Sequence, residues 1–330
     1  MQSPAERPEE PRRRRTDQPL DRPEVSVVVP VYNESPNIPA LHERLIAALD
    51  ALGRPFELVF VDDGSRDDSL AQLRALAAAD ARIVVVELNR NFGQHAAILA
   101  GFDQSRGDII VTLDADLQNP PEEIAKLVAA VDEGHDAVGG VRVNRHDSIA
   151  RKLPSRVINK IIRRSTGADI HDYGCMLRAY SRDVVDNILR YGETATFIPA
   201  LANLFAHSAA EVGVGHAERA AGRSKYNLRR LFRLAFDLMT GFSLFPIQMV
   251  TLMGGLMAAL GVGFGVFLLI RRLLVGSEVG GVFTLFAILF IFVGLQVLAL
   301  GMIGEYIGRI YYEVRRRPRF LVRKVHRRDS

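Results

Sequence analysis

The chain has 330 residues, of which 48% are hydrophobic and 24% charged, with a formal net charge of +4. That balance excludes a disordered or fibrous protein, and a single cysteine, Cys175, excludes an intramolecular disulfide or a thiolate zinc site and points to a reducing compartment. The charge is uneven: the last 22 residues, Arg309 to Ser330, carry nine Lys or Arg against two acids.

Residues 1–24 hold five prolines, six arginines and six acids without an apolar core, so they read as a disordered leader and not as a signal peptide. The Arg12–Arg15 run reads first as solvated, with anionic lipid as the alternative contact. From Val25 onward, short β-branched runs alternate with helix-compatible stretches. Strands are expected at Val25–Val31, Phe56–Val61, Ile83–Leu88 and Asp108–Leu113, and helices at Pro39–Leu52, Ser69–Ala79, His95–Gln104 and Pro121–Glu133. The alternation predicts an α/β domain with a parallel sheet covered on both faces. There is no internal repeat.

In such a sheet the ligand lies beyond the carboxyl ends of the strands. Here the first strand runs into Pro30, Tyr32, Asn33 and Glu34, the second into Asp62, Asp63, Gly64 and Ser65, and the fourth into Asp114, Ala115, Asp116, Leu117 and Gln118. Several carboxylates at one edge repel each other unless cations and hydrogen-bond donors meet them. Asp114 and Asp116, two apart in an extended segment, emerge on the same side and can converge on one ion. As hard oxygen ligands they suit Mg²⁺ or Mn²⁺, which keeps positions open for phosphate oxygens. The alternative is that this Asp-x-Asp caps the helix that Pro120, Pro121, Glu122 and Glu123 begin; its alignment with Asp62 favours the site. Neither a Gly-x-x-x-x-Gly-Lys-Ser/Thr loop nor a Gly-x-Gly-x-x-Gly turn after the first strand is present. A diphosphate bound here is therefore expected to be neutralised by metal, as in nucleotide-sugar chemistry. His95 is expected to be a satisfied packing histidine and Cys175 a small buried hydrophobe.

Further along, Ser155–Arg164 and Asn227–Phe236 alternate apolar pairs with basic residues at helical spacing, the composition of helices lying in a membrane interface. Two charge-free stretches follow, Leu238–Ile270 and Val279–Gly304, of 33 and 26 residues. Each exceeds the roughly 20 residues that a bilayer core requires. Arg223, Lys225, Arg229, Arg230 and Arg233 precede the first and the basic tail follows the second, so the positive-inside rule puts both ends in the cytoplasm. Gly261, Gly263 and Gly265 alternate inside the first span, where small residues let helices approach closely.

The segments VSVVVPVYNE, VDDGS, LNRNFGQHAAILAGF, DADLQNPPE, the GRSKY loop and GEYIGRIYYEVRRRP resemble the family 2 polyprenyl-phosphate glycosyltransferases over about Val25 to Val325. DYGCMLRAY (Asp172–Tyr180) and TFIPALAN (Thr196–Asn203) are similar to the branch whose donor sugar is 4-deoxy-4-formamido-L-arabinose, which serves lipid A modification and resistance to cationic antimicrobial peptides. The resemblance implies a GT-A fold with UDP held by Pro30, Tyr32, Glu34, Asp62 and Asp114. It implies Mg²⁺ or Mn²⁺ on Asp114, Asp116 and Gln118, and an undecaprenyl phosphate acceptor on Arg142, Arg151 and Ser155, with Arg145 and Lys225 as further candidates. Asp114, Asp116, Arg142 and Arg151 form the implied catalytic set for an inverting transfer. Also implied are a bacterial inner-membrane location with the catalytic domain and both termini cytoplasmic, a homo-oligomer with a tetramer as the expected size, and no nucleic-acid partner. The expected division is a leader (1–24), a GT-A domain (25–226), an amphipathic juxtamembrane helix (227–237), two membrane helices (238–304) and a basic tail (305–330). The long leader departs from the family pattern, as does Arg223, which stands where an acid is expected. Glucose or mannose from another nucleotide sugar is the alternative donor, and a membrane-anchored nucleotide-binding scaffold without turnover is the alternative class. A processive synthase is disfavoured because its Gln-x-x-Arg-Trp motif needs a tryptophan and this chain has none.

Overall fold

The first apolar run, Val25–Val31 (β1), is buried along nearly its whole length and becomes the centre of the sheet. The computed structural model describes residues 22–142, 175–191, 197–215, 245–275, 282–314 and 318–328. Within them, β1 is followed by α1 (Ile38–Leu52), β2 (Phe56–Asp62), α2 (Ser69–Ala79), β3 (Ile83–Leu88), α3 (Gln94–Gln104) and β4 (Ile109–Thr112). Next come α4 (Ile124–Asp132), β5 (Ala137–Arg142), β6 (Arg178–Ser181), α5 (Arg182–Tyr191), α6 (Ile198–Phe205) and β7 (Ala209–Val214). Two long helices, α7 (Phe245–Val275) and α8 (Val282–Val314), precede a last strand, β8 (Val322–His326).

The strands lie in the order β7-β5-β6-β4-β1-β2-β3-β8. β1 pairs in parallel with β2 and β4, and β2 with β3. Alternate residues of a strand point to opposite faces, which is why Val25, Val27, Val29 and Val31 join one core with α1, α2 and α4 while Val28 joins the other with α3, α5 and α6. Each fully buried Leu, Ile or Val contributes about 2 kcal/mol of hydrophobic stabilisation. Helix α3 approaches most closely: a Cβ on Gly101 would run into Val28 Cγ1, so only glycine lets this helix lie flat on β1.

The sheet is mixed, where the sequence predicts parallel. β6 runs antiparallel to β4 and β5, and β8 antiparallel to β3. β6 passes directly into α5 at Arg182. β8 arises inside the expected tail. Its pairing is anchored on Glu87 of β3, a buried carboxylate that receives Arg74 at 2.5 Å, His326 at 3.0 Å and Arg323 at 3.2 Å. Burial opposes ionisation of Glu87, but hydrogen bonds from His326 and Arg74 prevail and hold its carboxyl below the usual range.

Helices α7 and α8 contain the two spans long and apolar enough to cross a membrane, Ile247–Leu274 and Ile291–Gly308. Both are unburied, which separates them from core helices of the same composition. Of the three alternating glycines only Gly261 meets the partner helix, against the Phe292 ring; Gly263 and Gly265 have nothing within 4 Å. The chain leaves the sheet after β7 and re-enters it at β8, with the two long helices between them in sequence. The expected interface helices, 155–164 and 227–236, lie outside the described residues.

Glu87→Gln removes the charge that gathers Arg74, Arg323 and His326, and the amides of Val322–His326 should then exchange with deuterium on the order of tenfold faster while those of β1 and β2 stay protected. Unchanged protection of β8 would mean that backbone pairing alone holds it.

Candidate active site at the carboxyl edge of the sheet

Because β1, β2 and β4 are parallel, their carboxyl ends open on one edge. The register places Val31 beside Asp62 and Val28 beside Thr112, so Pro30–Glu34, Asp62–Ser65 and Asp114–Gln118 follow three adjacent strands at that edge. β5 runs parallel to β4 across the antiparallel β6, so Arg142 ends at the same edge, two strand spacings or about 10 Å beyond β4.

The β1 and β2 ends are laced together. Asn33, in a left-handed conformation (φ 56°), donates its N–H to Ser65 Oγ (3.0 Å), and its side-chain oxygen accepts from the Arg66 N–H (2.8 Å). The Glu34 N–H donates to Ser69 Oγ at 3.0 Å, and its carboxylate accepts from Asn37 Nδ2 at 2.6 Å. Tyr32 stands 42% exposed beside them, a large aromatic face left open to solvent. Asp62 is buried, with the Ser65 N–H at 3.3 Å from Oδ2; burial pushes its carboxyl up, and hydrogen bonds from Ser65 and Gly64 pull it back only in part.

Asp63 has a different role, which its sequence neighbourhood did not reveal. Its two carboxylate oxygens accept the N–H groups of Phe92 (2.7 Å) and Gly93 (2.9 Å), clamping the loop that leads into α3. Gly64 (φ 70°) must be glycine, since a Cβ there would lie 2.7 Å from the Arg90 carbonyl carbon. On the β4 side, Asp114 Oδ1 accepts Gln94 Nε2 at 2.5 Å and Asp116 Oδ1 accepts the Gln118 N–H at 3.1 Å. Leu117 between them holds a left-handed φ of 61°, a local strain of the kind found at ligand sites. The helix-capping alternative for the two aspartates fails, because the turn at Pro121–Glu123 and α4 start after Pro120 and Glu123 without a side-chain cap.

A donor set of two carboxylates beside open backbone suits a hard divalent cation that completes its shell with phosphate and water. Among the described residues there is no group of three or more His, Cys, Asp or Glu that could hold an ion. Arg142 is half-buried at the β5 end, while Arg145, Arg151, Ser155 and Lys225 lie outside the described residues. A further arginine escaped the sequence reading: Arg178, 3% exposed, opposes Thr112 of β4 and Gly139 of β5 and donates from Nε to the Cys175 carbonyl at 2.9 Å. Its only signal was a charge inside the apolar run CMLRAY. Cys175 is buried as expected, with its thiol 3.6 Å from Asn119 Oδ1.

Residues 26–189 match the model of glycosyl transferase family 2. Over 304 residues, 91% of this chain and 92% of the relative, the sequence is 54% identical to an undecaprenyl-phosphate 4-deoxy-4-formamido-L-arabinose transferase of Shewanella sediminis. It is 55% identical to the same-named protein of Pseudomonas paraeruginosa over 92% of this chain and 90% of the relative, and 53% identical to that of Yersinia pestis over 91% and 93%. Among solved structures, glucosyl-3-phosphoglycerate synthase of Mycobacterium tuberculosis with Mn²⁺ and UDP-glucose aligns over 66% of this chain and 77% of that one at 23% identity, with a TM-score of 0.47.

His95 packs as expected, edge-on against Phe197 with ring centroids 5.4 Å apart, but its buried Nδ1 has no hydrogen-bond partner among the described residues. Burial lowers its pKa from 6.5 to about 4, so the ring is neutral near pH 7. Between pH 6.5 and about 4 the unfolded chain binds a proton that the folded ring refuses, so stability falls as pH drops through that window, by about 3 kcal/mol at most. Denaturant unfolding of the detergent-solubilised chain should show this slope, and His95→Phe should flatten it; a variant with the original slope would assign the loss to other groups.

Proposed function

Since the chain belongs to glycosyl transferase family 2 and carries a GT-A-type sheet, we propose that it transfers 4-deoxy-4-formamido-L-arabinose from UDP to undecaprenyl phosphate, with a divalent cation on Asp114 and Asp116. It is a glycosyltransferase that uses a nucleotide sugar. The observation that carries the reading is the delivery of Pro30, Tyr32, Glu34, Asp62, Asp114 and Asp116 to one edge by three adjacent parallel strands. The near full-length identity to relatives named for that sugar and that lipid supports the choice of substrates.

In this reading Tyr32 offers its exposed ring to the uracil, and the buried Asp62 carboxylate accepts a base N–H. Asp114, Asp116 and Gln118 hold Mg²⁺ or Mn²⁺, which supplies positive charge to the diphosphate. Arg142, at the β5 end of the same edge, faces the acceptor phosphate together with Arg151, Ser155, Arg145 and Lys225. A phosphate monoester with a second pKa of about 6 is already an anion near pH 7, so its oxygen attacks without an obligatory base. The work of the protein is to hold two anions in line, the acceptor oxygen behind the anomeric carbon and the UDP oxygen leaving opposite, which inverts the sugar. Buried Arg178, between the metal-binding strand and β5, adds fixed positive charge under that path.

The chain is membrane-associated. An excursion that leaves one sheet at β7 and returns to it at β8 crosses a bilayer an even number of times, which supports a two-helix hairpin with the sheet and both termini on the cytoplasmic side of the inner membrane. The family resemblance supports a homo-oligomer, a tetramer in our reading.

Purified chain incubated with undecaprenyl phosphate and a panel of UDP-sugars should yield lipid of the mass expected for the formamido-arabinosyl product. Equal use of UDP-glucose would overturn the sugar, and UDP binding without any product would favour a scaffold. Asp114→Asn and Asp116→Asn should each cut turnover by about 10³-fold or more, as loss of a metal ligand does; near wild-type turnover in chelator would sink the metal. A cysteine at Ser277 should be labelled from the periplasmic side, and labelling from the cytoplasm alone would exclude the hairpin.

A further inference from the structure

The amide of Gln94 reaches Asp114 from the first turn of α3, a helix packed on β1 and β2, and closes to 2.5 Å on Oδ1. Gln94 is exposed, so no burial requires this contact. The placement is built from beneath. Asp63 pins the Phe92 and Gly93 N–H groups with both oxygens, Gly93 holds a positive φ of 96° that opens the helix at Gln94, and the Arg90–Asn91 backbone sits directly over Gly64. Two features of the β2 end, Asp63 and Gly64, and the Gly93 turn before α3 thus converge on where one side chain of α3 stands.

We propose that Gln94 is a positioning residue: it occupies Oδ1 of Asp114 and turns Oδ2 toward the divalent cation, with Asp63 as the clamp that sets Gln94 in register. The inference rests on the metal reading above. Partners of this kind fix the orientation of a ligating carboxylate, and their removal typically weakens metal binding by about 10- to 100-fold. Glutamine suits the task because its amide donates without charge. A lysine would compete with the cation, and a glutamate would repel the carboxylate it has to orient. Asp116 receives the corresponding bond from its own backbone, the Gln118 N–H, so each carboxylate has one oxygen occupied by a fixed N–H donor.

The test is UDP binding by calorimetry to the full-length chain in detergent, with saturating Mn²⁺ and with chelator, in wild type, Gln94→Met and Asp63→Asn. Wild type should bind UDP more tightly with Mn²⁺. Gln94→Met, matched in volume, should lose about tenfold of that enhancement while its affinity in chelator stays within about twofold and its melting temperature is unchanged. Asp63→Asn should show the same selective loss. An undiminished Mn²⁺ enhancement in Gln94→Met overturns the inference, and so does an equal loss of UDP affinity with and without Mn²⁺, the signature of a structural role. A wild-type chain that binds UDP equally in Mn²⁺ and chelator is a separate failure, that of the metal reading itself.

Discussion

The parallel pairing of β1 with β2 and β4 is the constraint on which the site depends. Strands covered on both faces by helices admit only apolar side chains along their length, and Val25–Val31, Phe56–Asp62 and Ile109–Thr112 comply almost throughout. Polar groups are thereby confined to the ends. Parallel direction then puts like ends together, so the acids after three strands share one edge whether or not they attract one another. Burial there disfavours the ionised state and raises the pKa values of Asp62 and Asp63, with repulsion from a neighbouring acid as a lesser cause. A site of this kind holds together through donors: Ser65, Phe92, Gly93, Gln94 and Gln118 each direct an N–H at one of these carboxylates.

The opposite edge of the sheet makes the contrast plain. There the buried Glu57 carboxylate accepts from Ser26 Oγ at 2.7 Å and pairs with Arg106 at 3.0 Å, an acid neutralised within the chain. Glu87 at the β3 edge is matched by two arginines and a histidine. Glu57 and Glu87 thus receive their counter-charge from the chain itself. Asp62 and Asp63 instead receive backbone N–H donors from Ser65, Phe92 and Gly93, which orient a carboxylate. The division follows from the electrostatics of partly buried acids, whose charge has to be balanced by something.

The β8 strand ties the C-terminal end of the chain to this sheet. Helices α7 and α8 lie in sequence between β7, at one margin of the sheet, and β8, at the other.

Local pattern determined a good deal. The four parallel strands and their helices were legible to within about a residue, because the period of apolar residues is read over a few positions at a time. So were the two long apolar helices, from length and scarcity of charge, and the acids at the strand ends, from their place after each apolar run. What only the tertiary structure decided involves partners far apart in sequence. The Gln94–Asp114 bond joins residues 20 apart, the Asp63 clamp spans 29 and 30, and the Glu87–His326 contact that adds β8 spans 239. The reversed direction of β6, which buries Arg178 between β4 and β5, belongs with them. A period records which face of an element is apolar; it carries no information on which distant element will cover that face, and the donors that orient the carboxylates arrive with that choice.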